Sequence, residues 1–207
     1  TAMLVLQCFA PVFGAAAAEE GELIFLENYE NIGEGEKPSY GSSNWTGDNG
    51  TAGYTVGVVQ EENNKSLKIS SVGTGATIST SLVIYRNLSV NTGETHTFYT
   101  SLKTTDDNSY KRLFIRNSNG STTDFIRFQN GSLVIAGEKM GRLEKNRWYA
   151  VRVAIDGTTK KATLYVDGER KAALYLSSYE LTNCSIRADL VGDGTEGTET
   201  AFYLDNT

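Results

Sequence analysis

Apolar and polar residues alternate with a period of two along most of the chain after Glu20. No stretch there sustains a 3.6-residue apolar period over three helical turns. In the segment RWYAVRVAID, one face carries Tyr149, Val151, Val153 and Ile155. The segments KATLYVDG, LFIR, FIRF and SLVIA alternate in the same way and are rich in β-branched and aromatic residues, as half-buried strands are. The pattern predicts a chain built from strands.

Glycine-containing dipeptides separate these segments and mark tight turns. Asp167-Gly168, between ATLYV and ERKAALYL, predicts the clearest hairpin. About a dozen strands are expected, near 22–26, 53–60, 66–71, 76–85, 95–103, 110–116, 122–129, 132–136, 147–155, 161–166, 169–176, 183–190 and 200–205. Many short strands at regular spacing are typical of a β-sandwich or barrel. We expect an all-β, two-sheet antiparallel jelly roll over residues 19–207, with 32–53 as a long loop.

The first eighteen residues differ in character from the rest of the chain. They carry no charge, and an apolar run leads into Gly14 and four alanines before Glu19. This is the pattern of a secretory signal peptide with its cleavage site, here truncated at its N-terminus. The alternatives are a first core strand or a lipoprotein anchor at Cys8. We therefore expect residues 1–18 to be a signal peptide and the protein to be secreted or located at the cell surface.

Composition excludes several classes of function. The chain has 207 residues, a net charge of −6 and a pI near 4.9, whereas a nucleic-acid-binding protein needs a basic face. One histidine and two cysteines argue against a zinc site of Cys and His ligands, and the apolar run is too short to span a membrane. Without residues 1–18, Cys184 is the single cysteine, so no internal disulfide is expected.

Two parts of the sequence resemble known jelly rolls. The segment WYAVRVAIDGTTKKATLYVDGERKAAL resembles the signature hairpin of laminin-G-like and concanavalin A-like domains. The ends FLENYEN and AFYLDN resemble the paired terminal strands of secreted carbohydrate-binding modules. The resemblance implies a concanavalin A-like fold, and its members include lectins, glycan-binding modules, glycosidases, lyases and adhesion domains. It also implies further domains beyond Thr207.

The same resemblance implies a structural calcium ion between the chain ends. In many such jelly rolls, acidic residues of the first and last strands bind this ion, and Glu30 and Asp205 match those positions. Their oxygen atoms are of the kind that calcium prefers. The sequence departs from the pattern at Asn28, where an Asp is common. The alternative is that both acids are solvated residues at a sheet edge.

The catalytic strings of related enzymes are missing from the sequence. Laminarinase-type jelly rolls carry Glu-x-Asp-x-x-Glu on one strand, and this string does not occur here. Alginate-lyase-type jelly rolls use a His and a Tyr with Arg, but the only histidine, His96, begins a strand and lies in neither of their motifs. No Gly-x-Ser-x-Gly elbow is present. Because these strings are absent, we expect no catalytic residues and a chain that is not itself an enzyme.

Sugar binding is then the chemistry that the sequence favours. Aromatic rings stack on sugar rings, and polar side chains bind the sugar hydroxyls. Trp148 is not counted among the ligand-binding residues, because it opens the signature strand and is expected in the core. The expected ligand-binding residues are Trp45, Tyr54, Tyr85, Tyr110 and Arg116. We expect a non-catalytic module that binds polysaccharide or glycoconjugate. The alternatives are an adhesion or spacer domain and, less favoured, a glycan lyase or glycoside hydrolase whose site the sequence does not reveal.

Overall fold

The computed structural model describes residues 29–36, 46–47, 54–61, 64–73, 82–88, 93–106, 109–117, 119–176, 184–191 and 195–205. Within these ranges every regular element is a β-strand. The expected signal peptide at 1–18 and the expected strand at 22–26 lie outside the described residues, as does Trp45.

The strands in the described part of the chain follow the alternating segments of the sequence. In chain order they are β1 Thr46–Gly47, β2 Tyr54–Glu61, β3 Asn64–Val72, β4 Leu82–Leu88, β5 Thr95–Thr104, β6 Tyr110–Arg116, β7 Thr122–Gln129, β8 Ser132–Ile135, β9 Glu138–Arg142, β10 Tyr149–Asp156, β11 Lys161–Val166, β12 Glu169–Tyr175, β13 Cys184–Val191 and β14 Glu199–Asp205.

These strands form two sheets of seven. The first sheet has the order β1-β4-β13-β6-β7-β8-β9, and the second has the order β12-β11-β10-β5-β14-β3-β2. All neighbouring strands within each sheet are antiparallel. The expected two-sheet antiparallel β-sandwich is confirmed. Strands distant in sequence are neighbours in both sheets, since β13 separates β4 from β6 and β14 separates β5 from β3.

The core lies between the sheets and is built by the period-two pattern. On β10, Tyr149, Val151, Val153 and Ile155 are buried, as the alternation predicts. The ring of Phe128 lies 5.6 Å from that of Tyr149 and 5.8 Å from that of Phe202, between centroids. Burying each large apolar side chain contributes roughly 1.5–3 kcal/mol, so this layer is the main force holding the two sheets together.

Three local features show where the pattern predicts the structure and where it does not. The hairpin at Asp167-Gly168 is confirmed, with both residues at positive φ (53° and 80°), the geometry that suits tight hairpin turns. Strand β9 was not predicted, because all five of its residues are exposed and carry no alternation. The prediction that Trp148 lies in the core is wrong. Trp148 is half-buried, and Tyr149 next to it enters the core instead.

Candidate active site

The outer face of the first sheet carries a cluster of charged and aromatic residues. Since side chains of a strand alternate between faces, burial of Leu113 and Ile115 in the core directs their neighbours on β6 outward. Strands β13 and β7 flank β6 and add charged residues to the same face. We call this set the arginine face, and it comprises Tyr110, Arg112, Phe114, Arg116, Asp124, Arg127, Arg187 and Asp189.

A β-bulge in β7 assembles part of the arginine face. Arg127 pairs with Arg112, and Asp124 pairs with Phe114, although Asp124 and Arg127 are three residues apart. In a regular strand, residues three apart face opposite sides. The register shift lets Phe125 and Ile126 both enter the core, so the residues on either side of them face outward. As a result Arg127 Nη1 lies 3.5 Å from Asp124 Oδ2.

Arg112 lies at the centre of the cluster and connects two carboxylates. Its Nε lies 3.1 and 3.0 Å from the two side-chain oxygens of Asp189, and its Nη1 donates to Asp124 Oδ1 over 2.9 Å. The guanidinium also stacks over the Phe114 ring, 3.9 Å from its centroid. Charge-assisted bonds of this kind fix direction as well as distance. Arg112 therefore sets the positions of both acids.

The two carboxylates have different environments. The Asp189 side chain is 3% exposed, whereas that of Asp124 is 24% exposed. Burial raises the pKa of Asp189 to about 6, and the attraction of Arg112 offsets this only in part. The negative charge of Asp124 acts in the same direction as burial. Asp189 is therefore an acid that can exchange a proton near neutral pH, beside a second and more accessible carboxylate.

Tyr110 lies beside two guanidinium groups on the same face. The Arg112 carbon Cζ is 5.7 Å from the centre of its ring, and that of Arg127 is 5.9 Å away. Burial raises the pKa of the Tyr110 phenol, with Asp124 adding to the effect. The phenol thus stays protonated at neutral pH and can donate its hydrogen.

The expected ligand-binding residues are divided by the structure. Tyr110 and Arg116 lie on β6 within the arginine face, and the backbone of Tyr85 on β4 pairs with that of Arg187. Tyr54 begins β2 in the other sheet and packs half-buried against the core. Trp45 lies outside the described residues. Two of the five expected residues, Tyr110 and Arg116, thus lie on the arginine face. Tyr85 lies on β4, which β13 separates from β6.

Sequence reasoning missed Arg112, Asp124, Arg127, Arg187 and Asp189. A usable signal existed on β13, where SIRADLV places Arg187 and Asp189 on the face opposite Ala188 and Leu190. No such signal existed on β7, because the bulge removes the period-two relation that would have placed Asp124 and Arg127 together.

The expected calcium residues contact successive residues at the start of β3. Glu30 Oε1 accepts the backbone N–H of Lys65 over 2.8 Å, and Asn64 donates to Asp205 Oδ2 over 2.7 Å. However, Lys65 Nζ donates to the backbone oxygens of Glu30 and Ile32, at 2.9 and 2.7 Å. An ammonium group therefore lies against the backbone of Glu30 and adds a positive charge beside the expected site. The described residues also contain no group of three acidic, His or Cys side chains placed to bind a metal. Calcium at Glu30 and Asp205 stays a prediction, and the contacts of Lys65 argue against it.

His96 lies apart from the arginine face. It belongs to β5 in the second sheet, where it pairs with Ile155, and its Nε2 is 3.6 Å from Glu94 Oε2. This agrees with its expected place at the start of a strand.

Among the described residues no helix is long and apolar enough to cross a membrane.

Solved structures share this fold with little sequence identity. One is a glycoside hydrolase of family 16 from the mixed-linkage glucan locus of Bacteroides ovatus, in complex with product. It has a TM-score of 0.62 and 14% identity, and the match covers 88% of this chain and 98% of that one. Another is the alginate lyase A1-II′ of polysaccharide lyase family 7, with a TM-score of 0.50, 16% identity and coverage of 74% and 81%. A sialidase matches with a TM-score of 0.61 and 13% identity over 79% of this chain, which spans 16% of that protein.

No family model and no curated protein matches the sequence. At these identities the structural likeness establishes the concanavalin A-like jelly-roll fold, so that part of the resemblance is confirmed.

The expectation of a non-catalytic binding module, and of a chain that is not an enzyme, is overturned. The solved structures that share this fold include a glycoside hydrolase and a polysaccharide lyase, so the fold does not mark the chain as a binding module. The physical reason for the error is that the sequence argument required acidic residues in one contiguous string. In the folded chain Asp124 and Asp189 come from two strands and meet through Arg112.

Proposed function

We propose that this protein is an enzyme that cleaves glycosidic bonds in a polysaccharide and that the reaction takes place on the arginine face. One observation carries the proposal: Arg112 holds two carboxylates of unlike environment, Asp189 buried and Asp124 accessible, on an outer sheet face. Fold likeness to glycan hydrolases and lyases supports it.

The carboxylate pair favours hydrolysis. Glycoside hydrolysis uses one acid that holds a proton near neutral pH and one carboxylate that stays ionised. Asp189, with its pKa raised to about 6, matches the first role, and Asp124, which is more accessible and is held by Arg112 and Arg127, is the second carboxylate on this face. Substrate binding would have to displace the Arg112 side chain, now 22% exposed, in order to uncover Asp189.

A second candidate reaction is β-elimination on a uronic acid. Here the specific observation is that the Tyr110 ring lies within 6 Å of the guanidinium carbons of both Arg112 and Arg127. In this reaction an arginine neutralises the sugar carboxylate, a base takes the proton from C5, and the C4–O bond breaks as an acid gives a proton to the leaving oxygen. Asp124 would take the first proton, and the Tyr110 phenol, which stays protonated, would supply the second. Hydrolysis yields a saturated product, and elimination yields an unsaturated one.

The test is an assay of the whole chain on a panel of neutral and acidic polysaccharides. New reducing ends measure cleavage by either reaction, and ultraviolet absorbance of the product measures elimination alone. Asp189→Asn and Asp124→Asn should each lower hydrolysis by at least about 100-fold. Glu138→Gln, on the exposed edge strand β9, is the matched control and should leave cleavage unchanged. Cleavage of no polymer, or full activity in both aspartate variants, would overturn the proposal.

Secretion or a cell-surface location is part of this proposal. It is supported by the pattern of residues 1–18, which is typical of a secretory signal peptide.

A further inference from the structure

We infer that the arginine face takes an anionic glycan and that Arg116 and Arg187 bind its carboxylate or sulfate groups. This inference rests on the proposed glycan-cleaving function and deepens it by naming the substrate class.

The charge of the arginine face is opposite to that of the chain. The outward-facing charged residues of β6, β7 and β13 are four arginines, Arg112, Arg116, Arg127 and Arg187, and two aspartates, Asp124 and Asp189, which gives +2. The whole chain carries −6. Both aspartates bind Arg112, Asp124 also faces Arg127, and the charge of Arg187 acts on Asp189 as well, so the excess of two positive charges belongs to the face as a whole. On a protein with a net negative charge, a face with a net positive charge is where a polyanion would bind.

Arg116 ends β6 and is exposed. None of the ion pairs found among the described residues involves it. Its guanidinium lies over the turn that follows β6, where a Cβ added to Gly120 would lie 3.5 Å from Arg116 Nη2. Gly120 has a φ of 92°, which favours glycine, so the guanidinium packs beside a turn position that carries no side chain. Arg116 is exposed at the end of the strand, and carboxylate and sulfate oxygens suit its planar fork.

Arg187 lies on the neighbouring strand with its side chain oriented. Its Nε donates to Ser185 Oγ over 2.8 Å, and Ser185 pairs directly with Arg116. Arg187 is thus the diagonal neighbour of Arg116 across the two strands, a separation of roughly 7–8 Å between backbones, within reach of two long side chains. The two guanidinium groups can hold one charged substituent together or two on successive sugars.

The Nε of Arg127 gives a separate indication of an oxygen-rich ligand. This atom is buried, and within the described part of the chain it has no hydrogen-bond acceptor. Buried donors are normally satisfied, and the exceptions call for an explanation. A bound glycan on this face would supply the acceptor.

The experiment measures binding separately from cleavage. The whole chain is run in native gels that contain polygalacturonate, a sulfated galactan or a neutral β-glucan, and cleavage of each polymer is assayed in parallel. We expect retardation by at least one of the two polyanions and less of it as salt is raised. Arg116→Ala and Arg187→Ala should each weaken binding about tenfold. Arg170→Ala, an exposed arginine on β12 of the opposite sheet, is the matched control and should have no effect.

The outcomes separate this inference from the proposed function. Response to polygalacturonate alone assigns carboxylate as the ligand, and response to the sulfated galactan alone assigns sulfate; both support the inference. Equal retardation by the neutral glucan, or binding unchanged in both arginine variants, overturns it. Cleavage of the neutral glucan alone overturns it while the proposed function stands. Arginine-dependent binding without cleavage of any polymer supports the anion site and overturns the proposed function.

Discussion

Arg112 on β6 and Asp189 on β13 are directly paired in register, and the Arg112 Nε lies within 3.1 Å of both oxygens of the Asp189 carboxylate. The carboxylate is almost fully buried on the outer side of the first sheet. A buried charge is costly unless it is paired, so Arg112 is what makes this acid tolerable in the folded protein. The same pairing links the stability of the sheet to the chemistry proposed for it.

Arg112→Met should destabilise the protein. It removes the cation from Asp189 and Asp124 while keeping an unbranched apolar side chain over Phe114, so the loss is mainly electrostatic. Removing one partner of a buried ion pair costs about 3 kcal/mol, which we expect as a lower free energy of unfolding in urea titrations at pH 7. The double variant Arg112→Met/Asp189→Asn should recover part of the loss. Equal stability of Arg112→Met and the native protein would contradict this interpretation.

Stability should depend on pH through Asp189. Its folded pKa of about 6 lies above the ordinary value of 3.8, so the native state binds the proton more tightly than the unfolded state does. The stabilisation from this group is full below pH 3.8 and is lost as pH rises through about 6, a change of about 3 kcal/mol. Unfolding measured across this range should show the decline in the native protein and its absence in Asp189→Asn. Parallel profiles for the two proteins would rule the effect out.

Lys111 should be essential to the start of β6. Its side chain is fully buried, and it contacts Asp106 over 2.5 Å together with the hydroxyl of Ser109. Asp106 in turn accepts the backbone N–H of Ser109, so the pair holds the end of the loop against the sheet. Lys111→Met leaves Asp106 without its cation, and we expect a loss of about 3 kcal/mol in chemical denaturation.

Lys171→Met provides the comparison for Lys111→Met. Lys171 pairs with Glu169 on the surface of β12, where water screens the charges, so the unfolding midpoint should not change. Equal effects of the two lysine variants would mean that the loss at Lys111 reflects removal of any lysine rather than of a buried ion pair.

Chelation should leave the melting temperature of the native protein unchanged. The ammonium group of Lys65 already holds the backbone oxygens of Glu30 and Ile32. Lys65→Met should lower the melting temperature, because those two bonds are lost. A fall of several degrees on chelation in the native protein would instead establish the calcium ion that the terminal segments imply.

The sequence predicted the fold well because burial imposes the period-two pattern on each strand. The prediction failed at β9, because an exposed edge strand needs no apolar face. It also failed at Trp148, because the alternation buries the neighbouring Tyr149 instead. The site was only partly predictable. Tyr110 and Arg116, which the sequence predicts as ligand-binding residues, share one strand of the arginine face, and their role stays a prediction. The pairing of Arg112 with Asp189 depends on β13 being inserted beside β6, and a local pattern does not specify such a long-range order.

The most direct test is the pH profile of polysaccharide cleavage by the native protein and by Asp189→Asn, measured as new reducing ends between about pH 4 and pH 8. If Asp189 delivers the proton, cleavage by the native protein should decline as pH rises through about 6, the pKa that burial gives this acid. Asp189→Asn should then retain its fold and lose cleavage at every pH. A variant that cleaves at the native rate with the native pH profile would contradict the assignment of catalysis to this face.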